Sequence, residues 1–333
     1  MKNKIAIASA FLAASSFSMG EIVVNDFLSF EGFVDSSYST SQADIEGDKE
    51  SDNSFGVDQV EISWLFNFDA VTAQIDLEYE DGDEDNEDGV EQAFVNLALG
   101  NGDVITAGRY ASMLGFEAYE PTGLYQYSTA YTLDGQAVSA ASQYVQGVKY
   151  TRTTDTTFFG ISLQDQAFGN DGDRLGGDDD DDSSFAVEVA GSIDLGNGFT
   201  VFAGGAFEDA ESGDNQLINV YVTYETGAWL FAAELNLEEN ESFFGVDADS
   251  TSALLMANYA YSDVASVTAR ISMVDLEVDD NELVEFTKYT VAHNYALSDN
   301  LLLVTEVSFD DGELFGLVDG ENLTFAAELL FSF

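Results

Sequence analysis

The sequence predicts an all-β fold: a transmembrane antiparallel β-barrel of about sixteen strands, with short turns at one end and long acidic loops at the other. Three observations carry this. Apolar and polar residues alternate with period two over segments of nine or ten residues. Short and long connectors succeed one another strictly along the chain. Aromatic residues collect at the strand ends beside the short connectors, as a membrane–water interface selects.

Taken in order, the chain opens with MKNKIAIASAFLAASSFSMG. Lys2 and Lys4 precede an apolar run and small residues around Ser18 and Gly20, the pattern of a signal peptide over 1–20. The barrel is expected over 21–333. VEISWLFNF sets Val60, Ile62, Trp64, Phe66 and Phe68 against Glu61, Ser63 and Asn67. After Asp69-Ala70, VTAQIDLEYE sets Val71, Ala73, Ile75, Leu77 and Tyr79 against Thr72, Gln74, Asp76, Glu78 and Glu80. Like segments lie near 27–38, 55–68, 71–80, 90–99, 103–110, 139–151, 156–165 and 184–195. They continue near 199–208, 216–225, 228–238, 251–261, 264–274, 284–297, 301–310 and 323–333. Weak patterning over 123–150 leaves the count open between fourteen and eighteen.

Short connectors such as Gly100–Gly102, Gly196–Gly198 and Thr226-Gly227 carry hairpin-turn residues. The long ones are 39–54, 81–89, 111–138, 166–183, 209–215, 239–250, 275–283 and 311–322. The expected belt at the short-turn end contains Phe66, Phe68, Phe199, Tyr224, Trp229, Tyr259, Tyr261, Tyr295, Phe331 and Phe333. Soluble sandwiches also alternate, but their strands run to about five or six residues, whereas a tilted membrane crossing needs about 9–11. In lipid every backbone group needs an internal partner, so the sheet must close. The last strand, ENLTFAAELLFSF, is therefore expected to pair with the first, FLSFEGFVD, with Glu328 turned inward.

Composition narrows function. The chain has 63 acidic residues against 9 basic ones and a formal net charge of −54, which excludes nucleic acid as a partner. With 45% hydrophobic and 13% aromatic residues, the acid must be segregated from the apolar surface rather than spread through a disordered chain. No cysteine is present, so no disulfide staples the fold. The one histidine, His293, falls on the lipid-side row with Val291 and Tyr295, which suits an interfacial residue better than a catalytic one. No enzyme is expected.

The leader, about sixteen strands, eight long loops, a longest third loop and terminal Phe333 together resemble the Gram-negative outer-membrane porins. The most similar stretch is TAGRYASMLGFEAYEPTGLYQYSTAY, residues 106–131, which looks like the porin strand end that leads into the third loop. The resemblance implies a passive diffusion channel in the outer membrane, among lipid and lipopolysaccharide, with both termini periplasmic. It also implies recognition of Phe333 by the barrel assembly machinery, and a homotrimer. Loop 111–138 would then fold inward to narrow the bore, with Glu117, Glu120 and Asp134 at the constriction and Pro121, the only proline, shaping the turn. The alternative is a loop that only covers the mouth.

By parity the inward row includes Asp76, Glu78, Arg109, Lys149, Glu234, Arg270, Lys288, Glu306 and Glu328. An inward basic residue is expected on stability grounds alone, since a lipid-facing one costs about 2–4 kcal/mol at the midplane. A functional reading sets these cations across the bore from the loop acids as a transverse field. Acid dominates overall, so a cation preference is expected. A substrate-specific channel, with Tyr119, Tyr125, Tyr127 and Tyr131 stacked in the lumen, and a plugged barrel serving adhesion or shielding remain alternatives. No cofactor is implied. Loose Ca²⁺ or Mg²⁺ binding at the acidic loops 81–89 (Asp81, Asp83, Asp85) and 176–184 is possible by composition, although neither has the spacing of a dedicated calcium loop.

Overall fold

A computed structural model of the chain describes residues 20–80, 89–133, 136–137, 143–168, 185–210, 213–243, 246–279, 281–314 and 318–333. The expected leader, Asp81, Asp83, Asp85, Asp134 and the run 176–184 lie outside the described residues. The strands are β1 (Ile22–Asn25), β2 (Leu28–Ile45), β3 (Asp48–Phe68), β4 (Val71–Glu80), β5 (Val90–Gly100), β6 (Asp103–Ala111), β7 (Thr132–Leu133), β8 (Gln136–Ala137), β9 (Tyr144–Thr153) and β10 (Thr157–Gln164). They continue as β11 (Phe185–Gly196), β12 (Phe199–Ala210), β13 (Gly213–Thr226), β14 (Trp229–Phe243), β15 (Val246–Ser262), β16 (Ala265–Val278), β17 (Asn281–Ser298), β18 (Leu301–Leu314) and β19 (Val318–Ser332).

β2 to β6 and β9 to β19 pair antiparallel in chain order, and β19 returns to β2. The result is a closed barrel of sixteen strands. At the seam Ser332 stands opposite Phe33, and Gly32 and Phe333 exchange backbone hydrogen bonds of 2.9 Å in both directions. Closure of first strand on last is therefore as expected. β1 adds a short hairpin onto the start of β2.

Alternation does what a barrel in lipid needs. On β16, Val267, Ile271 and Met273 face out with 38–52% exposure, while Thr268, Arg270 and Ser272 face in at 1% each. The short-turn rim carries a belt of ring contacts: Phe199–Tyr224 at 4.1 Å, Trp229–Tyr259 at 4.5 Å, Tyr261–His293 at 6.0 Å, Phe331–Phe333 at 5.8 Å and Phe27–Phe68 at 5.7 Å. His293 sits in that belt, its Nε2 2.7 Å from the Tyr261 hydroxyl. Two of these turns, Asn101-Gly102 and Asn197-Gly198, hold both residues at positive φ, the tight hairpin geometry that Asn-Gly favours.

The opposite rim differs from expectation. Five of the eight connectors read as long loops are strand almost to their tips. The ladder runs through 39–54 to a turn at Glu46-Gly47, and likewise through most of 209–215, 239–250, 275–283 and 311–322. Above the membrane both faces of a hairpin are wet, so the alternation fades although the backbone pairing persists. At one such tip Asp44 and Lys49 stand 3.0 Å apart, and their hydrogen bond lowers the carboxyl pKa and raises that of the amine.

Candidate functional site: a loop folded across the barrel

After Ala111 the chain turns into the barrel. Residues 112–131 form an irregular segment with one 3-10 turn, Pro121–Gly123. Irregular backbone at membrane depth is tolerated only where its polar groups find partners, and the lumenal wall supplies them. Wall carboxylates accept from loop N–H groups. Glu188 accepts from Met113 N at 2.7 Å, Glu234 from Phe116 N at 2.6 Å, and Glu306 from Tyr127 N and Ser128 N at 2.9 and 3.0 Å. Wall donors reach loop carbonyls. Thr268 and Asn294 donate to Tyr125 O, Ser272 to Ala130 O, and Lys288 to Thr132 O at 2.5 Å.

Arg270 is the strongest anchor. Its side chain is fully buried, with Nη1 2.5 Å from Glu117 Oε1. It also donates to Ser128 O at 2.9 Å and Thr129 O at 3.1 Å. Glu117 in turn accepts from Ala130 N and Gln126 Nε2, both at 2.7 Å, so one loop carboxylate ties both limbs of the loop to the wall. Such charge-assisted, fork-shaped contacts are the strong class of hydrogen bond.

Apolar contacts complete the seat. Leu114 packs with Phe202, Leu217, Ala186 and Ala190. Tyr125 and Ala130 pack with Leu254, Met256 and Ala232. Tyr127 covers Phe33, Leu302, Val304 and Leu330. Glycines make room: a Cβ on Gly204 would lie 2.5 Å from Leu114 Cδ2, and one on Gly160 would lie 2.3 Å from Met113 Sδ.

The opposite limb of the loop meets β3, β5 and β9. Glu120 accepts from Gln59 Nε2 at 2.8 Å and from the Tyr144 hydroxyl at 2.5 Å. Gln59 also donates to Glu78 at 2.5 Å, and Asp76, fully buried, accepts from Gln74 and Gln92 at 2.9 Å each. Glu328 is buried beside Ser37 of β2, whose hydroxyl is 3.2 Å from Tyr127 Oη.

Loop 112–131 thus folds inward, and Glu117 and Glu120 lie within the barrel. Arg270 does not face Glu117 across a bore but touches it. Lys288 lies 3.6 Å from Asp310, and Lys149 sits over the Tyr110 ring at 4.3 Å. The cations therefore hold the loop and its root more than they set up a field across open water.

Arg109 departs from its expected place. Its register partners are Ala93 and Gln146, and Ala93 pairs with lipid-facing Ile75. Thr106 and Tyr110, both buried in the lumen, fix the inward parity of β6 and leave Arg109 in the outward row. It lies two residues from the loop end of its strand.

Two inward carboxylates near Glu120 escaped the sequence reading as site residues, Glu61 and Glu91. Glu61 sits on the lumenal parity of β3. Glu91 is the extra residue of a β-bulge, since Asp76 pairs with Gln92 and Leu77 with Val90.

A closed sixteen-strand barrel with an apolar outer wall, an aromatic rim and a loop laid across its interior is an outer-membrane β-barrel of porin architecture. Residues 28–333 match the family described as "Putative beta-barrel porin-2, OmpL-like", and the chain belongs to it. The fold is similar to OmpT of Vibrio cholerae, at 15% identity and a TM-score of 0.65, covering 94% of this chain and 100% of that one. It is similar to the anion-selective porin from Comamonas acidovorans, at 14% identity and a TM-score of 0.67, covering 92% and 99%. It is likewise similar to the outer membrane channel DcaP of Acinetobacter baumannii, at 12% identity and a TM-score of 0.66, covering 92% and 97%. No curated protein matches the sequence.

Proposed function

We propose that this protein is a passive diffusion channel for ions and small hydrophilic solutes, narrowed by loop 112–131 and preferring cations. The observation that carries the reading is the inward loop in a closed barrel whose wall acids outnumber its cations. Asp35, Glu61, Asp76, Glu78, Glu91, Glu188, Glu234, Glu306 and Glu328 stand against Lys149, Arg270 and Lys288, and Arg270 is neutralised by Glu117. Local charge of one sign at a constriction raises the concentration of the opposite ion there. The Comamonas porin is described as anion-selective; the balance of lumenal charge argues for the opposite sign here.

Planar-bilayer recording tests this directly. Cation preference requires a reversal potential of the sign set by cation flow down a salt gradient, and the opposite sign would sink it. The loop's contacts on nearly every side favour a small conductance over a wide one, and a silent barrel would favour the plugged alternative. The tyrosines offer no support for a stacked solute ladder: Tyr119 packs on Tyr144 at 5.8 Å, and Tyr131 donates to Glu234.

Gly20, the first described residue, and Phe333 lie together at the short-turn rim, which suits a periplasmic position for that rim and recognition of Phe333 by the assembly machinery. A homotrimer is proposed by analogy with OmpT of Vibrio cholerae, for which a trimer form is known. Cross-linking of the intact protein in outer-membrane fragments tests the trimer, and a monomer alone would refute it. Porins are channels rather than enzymes, and no reaction is assigned.

A further inference from the structure

The loop's second anchor brings three carboxylates together without a basic partner among the described residues. Glu61 of β3, Glu91 of β5 and Glu120 of the loop each offer an oxygen within 4.8 Å of the others. Glu61 and Glu91 are only 4% and 8% exposed. One oxygen of each, Oε2, is buried with no hydrogen-bond partner. None of the ion pairs among the described residues includes any of the three. Buried carboxylates are ordinarily paired or bound to metal, and like charges packed this closely repel.

We propose that Glu61, Glu91 and Glu120 bind one divalent cation of the calcium class, which fastens the constriction loop to the barrel wall. An all-oxygen, carboxylate-rich set is what a hard cation takes. Oxygens bound to one Ca²⁺ at about 2.3–2.6 Å lie no more than about 5 Å apart, a limit the three carboxylates meet. The bulge turns Glu91 toward the others against the parity of its strand. Gln59 and Tyr144 hold Glu120 by its two oxygens and orient it as outer-shell partners do. Pro121 and the 3-10 turn follow at once, so a bound ion would fix the loop at its sharpest bend. None of the three residues belongs to the acidic runs 81–89 and 176–184, and the proposal does not depend on which ions the channel prefers.

The test is calorimetric titration of CaCl₂ into the full-length, detergent-purified barrel after chelation, in enough salt to suppress loose binding by surface acid. One saturable site above a weak background is expected. Glu61→Gln and Glu120→Gln should each weaken that site by about tenfold or more, because affinity follows the number of charged ligands, with the background unchanged. Ca²⁺ should also raise the unfolding temperature of the wild type and leave that of Glu61→Gln unmoved. Unchanged stoichiometry and affinity in both variants would overturn the proposal. So would the absence of any saturable site in the wild type, in which case a Glu61→Gln barrel no less stable than wild type would point to carboxyls sharing a proton. Should Glu61→Gln not fold, Glu91→Gln carries the same test. Conductance and reversal potential are separate measurements, so either hypothesis can fail alone.

Discussion

The loop is held at two places by opposite chemistry. On the β16–β18 wall, cations built into the strands meet its carbonyls and Glu117, with Arg270 and Lys288 as donors. On the wall formed by β3, β5 and β9, Glu120 meets only other acids, a glutamine and a tyrosine among the described residues. The first anchor has its opposite charge within the polypeptide, although Arg270 Nε itself finds no hydrogen-bond acceptor among the described residues. The second is electrostatically incomplete, and its stability should depend on what the solution supplies. A loop clamped by its own arginine is permanent, whereas one clamped through borrowed charge can respond to divalent ions or to pH.

The largest effect should come from removing the arginine. Arg270→Met takes the cation from beside Glu117, which keeps only Ala130 N and Gln126 Nε2, and removes the donor to Ser128 O, while Thr129 O keeps only Lys288 Nζ at 3.4 Å. Breaking a buried pair from one side costs about 3–5 kcal/mol, here concentrated on the loop's seat. A lower unfolding temperature in detergent and a larger, noisier single-channel conductance are expected. Unchanged conductance would mean that the apolar seat alone holds the loop, and the contrast between the anchors would lose its meaning.

Chelation should come next in size and act only on the other anchor. EDTA should loosen the loop of the wild type, seen as increased proteolysis near Pro121. It should loosen the loop of Arg270→Met further still, because the second anchor is then a larger share of what holds it, and equal proteolysis with and without EDTA in both proteins would sink the idea.

Much of this arrangement could be read from residue order, and the failures are instructive. Strand parity and the flush rim with its aromatic belt follow from alternation and turn chemistry, which are local properties, and the closure of β19 on β2 follows from the need to pair every backbone group in lipid. The inward third loop was legible only through the resemblance of 106–131 to the porins. Strand ends did not, because hairpins above the membrane keep their hydrogen bonds after the apolar pattern ends. Arg109 was misplaced because Thr-Ala-Gly-Arg-Tyr has no apolar contrast, so expectation about its charge chose the face instead of Tyr110. Glu91 was invisible because outward Val95 and Leu97 set a parity that sends it to lipid, and only the bulge, a property of the pairing with β4, turns it inward. Glu117 and Glu120 were legible as loop acids, but their opposite fates depend on partners about 150 residues and 60 residues away in sequence.

A moderate effect is expected from Glu306→Leu. It removes the acceptor for Tyr127 N and Ser128 N, and an unmet buried N–H costs about 1–3 kcal/mol. Glu306→Gln keeps a carbonyl acceptor at that position and should recover most of the loss. If the two variants unfold at the same temperature, hydrogen bonding by Glu306 is not what holds that limb, and its charge is.

The smallest effect should come from Gly204→Ala, which probes the apolar seat common to both anchors. Its new methyl would meet Leu114 Cδ2 at 2.5 Å and Val189 O at 3.1 Å. The leucine tip can swing away, but the carbonyl belongs to the neighbouring strand and yields only by a few tenths of an ångström. Overpacking a tight core costs about 1–3 kcal/mol, while alanine is easier than glycine to hold in a strand by somewhat under 1 kcal/mol. The two oppose each other, so the barrel's unfolding temperature should fall only slightly. The informative readout is conductance. Leu114 lies between Glu188 and Asn219, which hold Met113 and Gly115 on either side of it. A conductance shift without a stability loss would mean that the loop pivots on its apolar seat while both polar anchors stay closed. No shift would mean that the anchors alone set its position.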